Sequence, residues 1–310
     1  MRAFLIYALY RLMGALVGPL PPRAGYRLAR RAGGLLCRVS PNLRAVLVDN
    51  LRHVLGPAAD EKKIRELARQ ACINIAKGHY ELFRLSRLTP DEIQDLTDLD
   101  GIEHFWRAME WGKGVIAVTA HLGNVDLVAQ LPLAFGVPIS GAAWHLEPER
   151  LFRYTLELRQ KHGLRLFPSD GSMVGLLRAL KRGEIIALPC DRDFADNSRT
   201  FEFFGQPARL PNGPARLSRR TGAPLLPAFV ERLPGERFRV HVEPPILVPQ
   251  TDDAQADIDA VMEKLVDIME RYISRHPEQW LVAAPVWPMA DADREAGESG
   301  DESGFLNWGM

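Results

Sequence analysis

The chain has 310 residues, 46% of them hydrophobic, with 39 basic and 39 acidic side chains, enough to bury the core of one large α/β domain. Three widely spaced cysteines, Cys37, Cys72 and Cys190, give neither a disulfide framework nor a metal-ligand spacing, so no metal or cofactor is expected and a reducing compartment is the default. The zero net charge hides an asymmetry: up to Arg52 every charged side chain except Asp49 is Arg, a head suited to an anionic surface, and the lack of aromatic-plus-basic motifs argues against nucleic acid.

Ala3 to Leu20 is apolar apart from Arg11 and sits at the lower length limit for crossing a bilayer. Arg11 and the lack of a small-x-small site before Pro19, Pro21 and Pro22 make it a poor signal peptide. Over two expected helices, Arg2, Arg11, Arg23, Arg27, Arg30, Arg31, Arg38 and Arg44 interleave with Phe4, Tyr7, Tyr10 and Tyr26, the composition of a segment lying among anionic headgroups. The competing reading is two amphipathic helices packed on the core. Residues 1–52 are therefore read as a basic, apolar, membrane-associated helical arm, 53–288 as the main domain, and 289–310 as a disordered acidic tail.

Ile64, Leu67, Ala71, Ile75 and Leu82 recur at helical spacing after a start signal at Asp60, with His79, Glu81 and Arg84 near the end either lining a pocket or facing solvent. Thr89-Pro90-Asp91-Glu92 opens a short helix. Val115 to Thr119 is a buried strand that ends at His121 in a Gly123-Asn124 turn. Asn124 is a good N-cap for a helix opening at Val125, which puts Asp126 in its first turn. His121 and Asp126 can then meet only because the chain turns between them, and the spacing predicts a carboxylate orienting an imidazole.

Further strands are expected at 136–140, 164–167 and 184–189, alternating with helices at 148–162 and 171–180, the pattern of a mostly parallel sheet flanked by helices. The 184–189 strand delivers Cys190-Asp191-Arg192-Asp193, charges that are costly to bury unless they pair or bind something. Cys190 itself reads as a small buried hydrophobe, and no Gly-x-Ser-x-Gly elbow is present. Phe201, Phe203 and Phe204 around Glu202 read as an apolar wall with one polar group, suited to an alkyl chain; the alternative is a strand whose Glu faces water. A helix from Pro214 through Arg220, a hairpin about Pro234-Gly235 and a helix from Ile258 to Ile273 complete the domain.

Taken together, His121-Leu122-Gly123-Asn124-Val125-Asp126, Arg159 before Gly163, Arg182-Gly183-Glu184, Asp191-Arg192-Asp193, Phe203-Phe204-Gly205-Gln206-Pro207-Ala208, Arg220-Thr221-Gly222-Ala223-Pro224 and His276-Pro277-Glu278-Gln279-Trp280 resemble the late lipid A acyltransferase family. That family includes the phosphatidylinositol mannoside acyltransferases and belongs to the lysophospholipid acyltransferase superfamily. The resemblance runs from the first helix to about Trp287. It implies a glycerolipid acyltransferase-like α/β fold and a membrane-associated enzyme on the cytoplasmic face of the plasma membrane. The implied reaction moves a fatty acyl group from acyl carrier protein or coenzyme A to a hydroxyl of a glycolipid or lysophospholipid. His121 falls on the family's base, Asp126 on its acidic partner and Glu202 on an acid near the base in the mannoside branch, while Arg159 and Asp191 fall on other functional positions. Asn124, Arg192, Phe203 and Phe204 complete the candidate substrate-binding set. Val125 stands where the family usually has Trp, and Arg192 where the lipid A branch has Gln.

The chemistry agrees with the resemblance. A hydroxyl is a poor nucleophile at neutral pH, and a neutral imidazole held by a carboxylate can take its proton as it attacks a thioester. Backbone N–H groups near Asn124, or Arg159, would face the oxyanion. The alternatives are a thioesterase and a lipid-binding or scaffold protein without turnover.

Overall fold

The computed structural model describes residues 2–168, 174–192 and 198–288. Asp193, the start of the helix expected from Gly171 and the acidic tail lie outside them. The head forms three helices where two were expected: α1 (Arg2–Val17), α2 (Pro22–Val39) and α3 (Pro41–Leu55). Both α2 and α3 open on a proline, whose missing N–H costs nothing in a first turn. All three pack on α4 (Glu61–Leu85), which Asp60 caps, and the Thr89 capping box starts α5 (Pro90–Asp95). No helix among the described residues is long and apolar enough to cross a membrane.

The main domain then alternates strands and helices: β1 (Thr97–Asp100), α6 (Ile102–Glu110), β2 (Val115–Thr119), α7 (Val125–Val128), α8 (Leu131–Ala134), β3 (Ile139–Ala143), α9 (Glu149–Arg159), β4 (Arg165–Pro168), α10 (Val174–Lys181) and β5 (Ile185–Pro189). A hairpin of β6 (Ser198–Phe203) and β7 (Gln206–Pro211) follows, then α11 (Gly213–Thr221), β8 (Leu225–Leu233), β9 (Arg237–Val242) and α12 (Ala254–Arg275). Seven strands form one sheet in the order β1-β9-β8-β2-β5-β3-β4. Every pairing in it is parallel except the β8–β9 hairpin.

One face of the sheet, through Ile116, Val118, Ile186 and Leu188, is covered by α10, α11 and α12. The other, through Val115, Ala117, Ile185 and Leu226, lies under α6, α7 and α8. Burial on both faces explains why the central strands read as unbroken apolar runs. It also leaves the carboxyl ends of β2, β5 and β8 as the edge where polar side chains can converge.

Candidate active site

The parallel register pairs Thr119 of β2 with Pro189 of β5, and the ladder continues one step through the Cys190 N–H to the Thr119 carbonyl, 2.9 Å. The next residue out on each strand is His121 and Asp191. The imidazole Nδ1 lies 2.7 Å from Asp191 Oδ1, and the His121 backbone N–H donates to Asp191 Oδ2, also at 2.7 Å. The Trp280 indole N–H donates to the same Oδ2 at 2.8 Å. Burial pushes the fully enclosed Asp191 carboxyl up; the charge and hydrogen bonds of His121, with the Trp280 indole N–H, more than offset it, leaving it below the ordinary range. In the neutral imidazole, donation from Nδ1 to the carboxylate leaves the ring's lone pair on Nε2.

The turn after His121 is fixed on both sides. Gly123 has φ +69°, and a Cβ there would stand 2.5 Å from the Val230 carbonyl oxygen, so both backbone and space demand glycine. The His121 carbonyl accepts from the Leu281 N–H at 2.8 Å, and the Gly123 N–H donates to the Gln279 carbonyl at 2.9 Å. Asn124 caps α7 as its position suggests, accepting from the Leu127 N–H at 3.0 Å. Its amide donates to Glu81 of α4, whose carboxylate also holds the buried Arg232 guanidinium through both Nη atoms. Gln279 clamps the Arg232 backbone, accepting its N–H at 2.6 Å and donating to its carbonyl at 3.0 Å. Burial alone would lower the Arg232 pKa, but Glu81 raises it above its ordinary value.

Asp126 has a different partner from the one its spacing suggested. The carboxylate on the His121 Nδ1 is that of Asp191, while Asp126 takes the Arg159 Nε at 3.0 Å from the end of α9. The reason is geometric: register, which sequence spacing does not encode, brings 191 beside 121, and α7 turns Asp126 toward α9. Asp126 still lines a small cavity with His121, Gly123, Asn124, Val125 and Leu281. Beside the Asp126–Arg159 pair, Tyr10 of α1 and His79 of α4 share a hydrogen bond of 3.1 Å. Burial, reinforced by the Arg159 charge and opposed by Asp126, lowers the His79 pKa to about 4.

Glu202 is exposed. The alternation along β6 sends Phe201 and Phe203 inward and turns Glu202 outward, to a surface recess shared with Asp259, Glu263 and Glu270. The phenylalanines are thus not a wall around an acid: Phe203 packs 5.4 Å from Trp287 and 6.1 Å from Trp280, behind Asp191, and the Phe204 N–H is bonded to Glu270. Arg192, half-buried, lines a separate recess with Thr200, Arg209 and Trp287, and burial lowers its pKa despite the Asp191 charge. Burial, reinforced by Asp191, raises the Cys190 thiol's pKa and keeps it protonated. No group of His, Cys, Asp and Glu suited to a metal ion occurs among the described residues.

Two apolar cavities flank this center. One, about 180 Å³, runs between the sheet and α6–α8, from Phe105 and Ile102 to Thr119, Val125 and Asp126; Ala117, Gly141, Ala187 and Ala228 make its room, and no exposed residue lines it. The other, about 440 Å³, lies between α1, α2 and α4 and ends at Leu281.

The sequence model described as bacterial lipid A biosynthesis acyltransferase matches residues 1–288. The phosphatidylinositol mannoside acyltransferase of Mycolicibacterium smegmatis is 30% identical, over 88% of this chain and 85% of its own length. That of Mycobacterium tuberculosis strain CDC 1551 / Oshkosh is 29% identical, over 77% and 75%. The lipid A biosynthesis lauroyltransferase of Escherichia coli K12 is 26% identical, over 86% of each chain. The chain belongs to the bacterial lipid A biosynthesis acyltransferase family and is an acyltransferase.

Proposed function

We propose that the protein transfers a fatty acyl group from an acyl thioester, of acyl carrier protein or coenzyme A, to a hydroxyl of a glycolipid at a membrane surface. The observation that carries this reading is the His121–Asp191 pair, whose imidazole lines a small cavity that shares Val125 and Asp126 with the apolar one under α6–α8. His121 Nε2 takes the acceptor hydroxyl's proton as its oxygen attacks the thioester carbonyl. The tetrahedral intermediate places negative charge on the former carbonyl oxygen, which Arg159, held by Asp126, stabilises. Collapse breaks the C–S bond, and the leaving thiolate takes the proton back from the imidazolium. Asp191 holds the ring and stabilises its charged form, and Trp280 holds Asp191.

The cavity under α6–α8 sheathes the donor's alkyl chain, since a thioester arriving from water brings a chain that must be shielded. The arm of residues 1–52 docks the enzyme on anionic lipid through exposed Phe4, Leu5, Leu9, Leu12 and Leu16 and the neighbouring arginines. The test is incubation with radiolabelled acyl-CoA or acyl-carrier protein and glycolipid vesicles. An acceptor heavier by one acyl chain supports the reading; free fatty acid alone would show water as the acceptor and overturn it.

A further inference from the structure

The cavity between α1, α2 and α4 leaves the head less tightly packed than an ordinary protein interior. Cores close to nearly crystalline density, whereas here Ala29, Ala32 and Ala76 leave about 440 Å³ between the helices. Its lining is apolar except where Tyr10, His79 and Tyr80 enter, and Tyr10 and His79 bond to each other while the Tyr80 hydroxyl donates to the Leu20 carbonyl.

Its two ends differ. At the outer end Met13, Leu28 and Ala32 are exposed. They continue into two apolar stripes at helical spacing, Leu5, Leu9, Leu12 and Leu16 on α1 and Leu28, Leu35 and Val39 on α2, all exposed. Contiguous exposed apolar surface of this kind marks an interaction face, and the exposed Arg23, Arg27 and Arg31 of α2 match an anionic one. At the inner end stands Leu281, which also walls the His121 cavity and whose N–H holds the His121 carbonyl at 2.8 Å.

We propose that this cavity is a slot for one alkyl chain of the acceptor lipid, drawn from the bilayer under α1 and α2 and leading to the wall of the His121 cavity. The proposal rests on the transferase reading above. It assigns the two apolar cavities to two substrates: the one lined by no exposed residue to the donor's chain, the one open on the docking face to a lipid already in the membrane.

The probe is a vesicle of anionic phospholipid carrying trace phosphatidylinositol with a diazirine in one alkyl chain, photolysed on the whole protein and mapped by peptide mass spectrometry. Labels on Ile75, His79 or Leu281 are expected, and Ala32→Trp, which plugs the exposed mouth at little risk to folding, should abolish them while labels on Leu9, Leu12 and Leu16 persist. In turnover, Ala32→Trp should raise KM for a bilayer glycolipid about tenfold or more. Labels confined to the outer stripes would overturn the slot, as would labelling of Ile75, His79 or Leu281 by a diazirine acyl-CoA in place of the lipid, which would give the cavity to the donor. Labelling needs no turnover, so slot labelling without acylated product would overturn the transferase reading alone.

Discussion

Asp191 binds His121 twice, accepting its backbone N–H and facing its Nδ1, each at 2.7 Å, so one carboxylate fixes the strand end and the ring together. Asp191→Asn keeps the volume but no longer specifies the ring tautomer. It should lower kcat by about two to four powers of ten, as should His121→Ala, with KM little changed. Asp191→Ala should in addition cost about 1–3 kcal/mol for each buried donor left unpaired. Steady-state kinetics beside thermal melts would check both, and full activity in Asp191→Asn would remove Asp191 from the mechanism.

Trp280→Phe keeps the packing on Phe203 and Trp287 and deletes one donor to Asp191. Losing a hydrogen bond to the charged form raises a carboxyl's pKa. The Asp191 carboxyl should therefore titrate at higher pH, as read by carbon NMR, with a loss of about 1–3 kcal/mol in stability. A carboxyl titration that stays in place while activity falls would mean that the indole only packs.

Glu81 and Arg232 form a buried ion pair that also holds Asn124. Removing one partner leaves a buried charge and should cost about 3–5 kcal/mol, whereas Glu81→Gln with Arg232→Met together should cost much less. A denaturant double-mutant cycle gives the coupling; additive losses would show that the pair does not act as a unit.

His79 titrates from 6.5 when unfolded to about 4 when folded. A depressed folded pKa means the unfolded chain binds more protons between those values. Stability is then fully present above pH 6.5 and falls as pH drops toward 4, by on the order of 3 kcal/mol. His79→Phe should flatten that segment of the stability–pH curve; an unchanged slope would place the titration elsewhere.

The central strands β2, β3, β4, β5 and β8, the Asn124 cap and the hairpin at Pro234-Gly235 were legible because apolar runs and turn residues are local signals, whereas β1, Thr97-Asp98-Leu99-Asp100, has no apolar run and was not expected. The His121–Asp191 contact was not, because strands buried on both faces carry no alternation to set their register. Its trace is visible in hindsight: Val115-Ile116-Ala117-Val118-Thr119 and Ile185-Ile186-Ala187-Leu188-Pro189 align end to end, with His121 and Asp191 two residues beyond each. Glu202 was misplaced because three phenylalanines within four residues look alike on either face of a strand, and only pairing with β7 decides which way the acid points. Glu81 was indistinguishable from a solvated helix residue until its partner Arg232, far away in sequence, was known.

The clamp made by Gln279, Trp280 and Leu281 on the His121 turn also orders events in time. The strands carrying His121 and Asp191 can pair while later segments are still unfolded, but the residues that lock the turn come from near the end of the domain, and such distant contacts form late. A nascent chain still lacking them has a sheet whose His121 turn is not yet held, and the turn's hydrogen bonds are complete only once synthesis has passed Leu281.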